Sequence, residues 1–145
     1  MIRLGRREFG RRRVRVRPGY ARAVELAGEV KVEQPAEGLS VIALEGEHDL
    51  GTASDVRDAI AAAADAGDAI VIDLCPTTFV DSSILGVVLE ARRSAHDEER
   101  GFAVGCDGTV EAVRRVLEVT GLQDELPVHP DRTAAIESLG FQEPA

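Results

Sequence analysis

The chain has 145 residues, 44% of them hydrophobic, with no Trp and 3% aromatics. That is one domain's worth of chain, whose core has to be built from Val, Ile, Leu and Ala. The formal charge of −9 hides an asymmetry: nine Arg and one Glu lie in Met1–Ala23, which leaves 8 basic against 25 acidic residues and a net of −17 for the rest. So acidic a domain repels nucleic acid and suits a basic protein partner, and no run is long or apolar enough for a membrane span.

Residues Met1–Arg22 combine high charge with three Gly, one Pro and little periodic apolar content, the composition of a disordered arm. Such an arm binds nucleic acid or anionic lipid, or is a solvated tail, or an extension read from an upstream start. It lacks the apolar segment of a signal peptide, so a cytoplasmic protein is expected. The domain proper is assigned to residues 23–141 and a short tail to 142–145.

Glu29–Gln34 and Ser40–Glu45 alternate apolar and polar residues around Pro35-Ala36-Glu37-Gly38, which predicts an antiparallel hairpin. After Gly46 and the loop Glu47–Gly51, a helix is expected from Thr52 or Ser54 through Val56 and Ile60 to Gly67. Ile70, Val71, Ile72 and Leu74, bounded by Gly67 and Pro76, then read as a central strand buried on both faces. A right-handed strand–helix–strand crossover makes this strand parallel to the one at Val41, so the loops that follow the two strands share one edge. Asp49 is thereby brought towards Asp81 and Ser82.

Val80-Asp81-Ser82-Ser83 precedes Ile84, Leu85, Val87, Val88, Leu89, Ala91 and Ala95, an apolar surface at helical spacing with Glu90, Arg92 and Arg93 left for solvent. Asp or Ser before such a run is an N-cap signal. By itself Asp81-Ser82-Ser83 is a cap; at a handover from sheet to helix it also stands where open α/β folds place function. The remainder predicts a polar turn at His96–Gly101, a parallel strand at Phe102–Cys106, a helix at Thr109–Thr120 stopped by Gly121, a short strand at Leu126–His129, and a last helix at Asp131–Leu139 capped by Asp131. The fold class is therefore α/β, a mixed and mostly parallel sheet with an N-terminal antiparallel strand and about four helices.

The residues argue against most chemistry. His48, His96 and His129 are scattered and none stands at i,i+4 or beside a cysteine, so no metal site is expected. Cys75 and Cys106 form no C-x-x-C and fit reduced residues at strand ends. A hydrolase built from Ser82, His48 and Asp49 lacks the G-x-S-x-G elbow, and adjacent His48 and Asp49 cannot easily serve as base and orienter. Asp73 lies inside its strand, not at the end where a phosphorylatable receiver aspartate would stand. There is no phosphate loop of the G-x-x-x-x-G-K type. Neither catalysis nor a cofactor is expected.

The passage I-V-I-D-L…F-V-D-S-S-I-L-G-V-V-L, from Ile70 to Leu89, resembles the phosphorylation motif of the anti-sigma factor antagonists, the bacterial STAS-domain proteins, which reads as a hydrophobic strand and then D-S-S/T-G-L-G-x-x-x-L. Leu44-Glu45-Gly46-Glu47-His48-Asp49 with Thr52-Ala53 is similar to that family's L-x-G-E-L-D-x-x-T-A, and Val110–Leu122 to its V-x-R-x-F/L-x-x-x-G-L. Ile84 stands where the family usually has Gly. The resemblance spans roughly Val30 to Leu139 and implies a partner switch in transcription regulation and stress response. The unmodified protein binds an anti-sigma factor that is also a serine kinase and so frees the sigma factor. Phosphorylation of the serine after Asp, here Ser82, ends the association, and a Ser/Thr phosphatase restores it. Asp49, Asp81, Ser82, Ser83 and Ile84 would form the partner-binding surface, with a homodimer left open. The alternative is an unphosphorylated STAS adaptor in a transporter or sensory complex.

Overall fold

The computed structural model describes residues 12–14, 28–107 and 111–142. Its strands are β1 (Arg12–Val14), β2 (Glu29–Ala36), β3 (Leu39–His48), β4 (Ala69–Asp73), β5 (Thr77–Val80), β6 (Phe102–Gly105) and β7 (Val128–His129). The helices are α1 (Leu50–Asp65), α2 (Ser82–Asp97), α3 (Glu111–Thr120), the four-residue α4 (Leu122–Glu125) and α5 (Arg132–Ser138). The sheet runs β1-β2-β3-β4-β6-β7, antiparallel for its first two pairings and parallel for the rest, with β5 beside the far end of β3. The expected parallel pairing is present, with Val41 opposite Val71 and Ile42 opposite Ile72.

Two-residue alternation divides the central strands between two cores. Ile42, Leu44, Ile70, Ile72, Leu74 and Val104 pack with Val56, Ile60, Leu85, Val88, Val113 and Leu117 of α1, α2 and α3. Leu39, Val41, Val71 and Ala103 face the other way, against Ala135 and Ile136 of α5. Both faces of β4 are thus covered, which is why its sequence is continuously apolar and not alternating. At the base of β4, the buried Asp68 carboxylate accepts bonds from Ser40 Oγ (2.8 Å) and Gln34 Nε2 (3.0 Å).

Several local expectations change, among them Asp73, expected inside its strand and found as the last residue of β4. Within the arm read as disordered, Arg12–Val14 pairs antiparallel with β2, because β2 would otherwise present an unpaired row of backbone groups; the rest of the arm, like Thr109 and Val110, lies outside the described residues. Helix α1 begins at Leu50, not at Thr52 or Ser54, and is capped by Asp49. The stretch after β4, read as a connection, contains β5. There Asp73 Oδ1 accepts the Cys75 amide (3.0 Å), the chain steps aside at Pro76, and Thr77, Phe79 and Val80 pair with Gly46, Glu47 and His48. The Thr77 hydroxyl donates to the Leu44 carbonyl and pins β5 to β3.

Candidate functional site: an edge with two capped helix starts

β3 and β5 end side by side, and each turns directly into a sixteen-residue helix through an aspartate. Asp49 Oδ1 accepts the Gly51 amide at 2.8 Å. Asp81 Oδ1 accepts the amides of Ser83 (3.0 Å) and Ile84 (3.4 Å) and the Ser83 hydroxyl at 2.5 Å. Each carboxylate satisfies amides that a helix start would otherwise leave unbonded, and lies where the helix dipole favours negative charge. The turns are joined by the Asp81 amide, which donates to the His48 carbonyl at 3.3 Å. The juxtaposition of Asp49 with Asp81 and Ser82 expected from topology is therefore present.

The two serines differ. Ser82 is the first helical residue of α2 and is exposed, whereas Ser83 is half-buried with its hydroxyl committed to Asp81. Asp49 is exposed, as is Glu47, and Asp81 is half-buried, so the rim around Ser82 is acidic. Ile84, expected to meet a partner, is fully buried in the main core. It is the apolar N3 residue that seats the start of α2, and it is unavailable for direct contact. Where the family motif has Gly, this chain fills the space under the helix with a branched side chain.

His48 completes the arrangement in a way that sequence reasoning did not assign. Its ring is fully buried, with Nδ1 3.0 Å from Thr52 Oγ1 and Nε2 3.1 Å from the Glu45 carbonyl oxygen. Both nitrogens are therefore engaged away from Ser82, and no Ser-His-Asp relay is formed. Burial lowers the imidazole below its ordinary value, against the opposing pull of the Glu45 and Glu29 carbonyls and the Asp49 and Asp55 carboxylates. Two apolar side chains were also missed. Leu50 is 75% exposed at the first position of α1, and Phe79 is 41% exposed on β5 opposite Glu47. Cys75, behind the edge, is half-buried, and its thiol is pushed up to about 12 by desolvation and by Asp73.

The fold and this edge define a small α/β domain whose strand-to-helix junctions meet on one acidic surface around an exposed serine. A family model described as "Mlab, STAS domain" matches residues 32–128. The crystal structure of an anti-sigma factor antagonist from Mycobacterium paratuberculosis is 33% identical, with a TM-score of 0.68 over 77% of this chain and 93% of that one. SpoIIAA, an anti-sigma factor antagonist, is similar in its unphosphorylated form at 24% identity and TM-score 0.63, covering 77% of this chain and 97% of that one. The phosphorylated Bacillus SpoIIAA is similar at 23% and 0.58, covering 75% and 97%. At those identities the SpoIIAA likeness is one of fold. The chain belongs to the STAS-domain family.

Proposed function

We propose that this protein is an anti-sigma factor antagonist that works by partner switching, with Ser82 as its phosphoacceptor. In this reading the unmodified protein binds an anti-sigma factor that is also a serine kinase, in the cytoplasm, and the chain acts by being bound, not by catalysis. Transfer of a phosphoryl group to Ser82 ends the association, and a Ser/Thr phosphatase reverses it. The observation that carries the assignment is the contrast between neighbouring hydroxyls: Ser82 is exposed, while the Ser83 hydroxyl is held by Asp81 at 2.5 Å. The similarity to an anti-sigma factor antagonist at 33% identity supports the partner class.

The physics of the switch is electrostatic. A phosphoryl group adds about −1.5 to −2 charges at pH 7. It would arrive on a rim that already holds Glu47, Asp49 and Asp81, and its desolvation and like-charge crowding both oppose docking. Incubation with ATP and the cognate kinase, followed by intact-mass measurement and site mapping, tests the assignment. One phosphate on Ser82 is expected, lost in Ser82→Ala and retained in Ser83→Ala. Phosphate mapped to Ser83 or Thr78, or none at all, overturns it.

A further inference from the structure

His48 touches both turns of the edge. Its carbonyl accepts the Asp81 amide at 3.3 Å, directly before Ser82, and its ring reaches the first turn of α1 through Thr52. The ring has no slack. A Cβ on Gly28 would stand 2.2 Å from Nε2 and 2.6 Å from the Glu47 carbonyl oxygen, so ring and backbone are in direct contact there.

The hydrogen-bond partners determine the tautomer. Nε2 faces the Glu45 carbonyl, which only accepts, so the neutral ring carries its hydrogen on Nε2 and Nδ1 accepts from the Thr52 hydroxyl. That hydroxyl also lies 3.2 Å from the Asp49 carbonyl oxygen. With one proton it serves His48 or Asp49, not both.

We propose that His48 is a positioning residue that couples the two turns: negative charge added at position 82 raises the proton affinity of Nδ1, and when Nδ1 takes a proton the Thr52 hydroxyl reverses to bond the Asp49 carbonyl. In the protonated state Nε2–H still donates to Glu45, Nδ1–H donates to Thr52 Oγ1, and Thr52 O–H donates to Asp49. Every polar atom is bonded in both states, so the exchange leaves no buried group unsatisfied. The groups that face the ring are the carbonyls of Glu29 from β2 and Glu45 from β3, Thr52 and Asp55 from α1, and the Asp49 carboxylate in the turn, while the start of α2 meets His48 at its backbone carbonyl through the Asp81 amide. Burial keeps the ring neutral near pH 7, and these oxygens stand ready to favour the cation once further negative charge arrives. Only the biological source of that charge rests on the phosphoacceptor reading; the coupling does not.

The test needs no kinase. The ring of His48 is titrated by NMR in the wild-type chain and in Ser82→Glu, which adds one negative charge at an exposed position, with the exposed His96 as internal control. The expected result is a His48 titration higher by about half a unit or more in Ser82→Glu, the size of a unit-charge interaction at an effective dielectric constant near 20. The Leu50 amide, which shares a peptide group with the Asp49 carbonyl, should move with the same midpoint, and Thr52→Val should abolish that movement while His48 still titrates. Equal midpoints in the two proteins, or no His48 titration in either before acid unfolding, overturn the proposal. A chain that shows the coupling yet takes no phosphate strikes the phosphoacceptor reading alone.

Discussion

The starts of α1 and α2 are the same device used twice. Each follows a strand, each is capped by an aspartate in extended conformation, and each opens a sixteen-residue helix packed on the same face of the sheet. They differ at the first three helical positions, which read Leu50-Gly51-Thr52 in one and Ser82-Ser83-Ile84 in the other. In α1 the first residue is an exposed apolar side chain and the third is a buried hydroxyl tied to His48. In α2 the first is an exposed hydroxyl and the third is a buried apolar anchor. A common backbone geometry thus presents an apolar contact at one site and a modifiable hydroxyl at the other, and the buried third position decides which turn is rigid by packing and which by hydrogen bonding.

The largest effect that tests this comparison is at Ile84. If it anchors α2 from below, Ile84→Ala should cost about 2–5 kcal/mol in urea unfolding, the range for truncating a fully buried Ile. A variant of unchanged stability but weakened partner binding would return Ile84 to the docking surface and break the contrast with Thr52.

Next in size are the caps. Asp81 Oδ1 accepts two amides and a hydroxyl, Asp49 Oδ1 one amide at an exposed turn. Asp81→Ala should therefore fall near the top of the range of about 0.5–2 kcal/mol for losing an N-cap, and Asp49→Ala near the bottom. Unfolding midpoints in the reverse order would contradict the assigned bonding. A binding titration on the Asp49 variant separates its cap from any contact it makes.

The smallest effect is the pH dependence contributed by His48. Its folded value is lowered from 6.5, so the unfolded chain takes up a proton before the folded one does. Stability should fall as pH drops through 6.5 towards the lowered folded value and then level off, and this component should be missing in His48→Leu. A His48 contribution that rises on acidification would reverse the sign and refute the burial argument.

Much of the fold was legible because period and punctuation agreed. The run Ile70–Leu74 between Gly67 and Pro76 announced a doubly buried strand, and Asp81 and Asp131 announced their helices as the structure has them. β5 was hidden because its partner is not local. Thr77–Val80 becomes a strand only because β3 outruns β4 and leaves its last residues unpaired. The start of α1 was misplaced because Gly51 has poor helix propensity and Thr52 and Ser54 are cap formers that stand closer to the apolar run. The His48 contact draws Thr52 inside the helix and leaves the cap to Asp49. Ile84 could have been read correctly, since its spacing to Leu85 and Val88 already set it on the apolar face.

The central claim is that charge at Ser82 decides whether this edge docks. The most direct measurement is a calorimetric titration of the cognate anti-sigma kinase with the unmodified protein and with the protein phosphorylated at Ser82. The account predicts at least about tenfold weaker binding of the phosphorylated form, equivalent to about 1.4 kcal/mol. Equal affinities for the two forms, at equal stability, would contradict it.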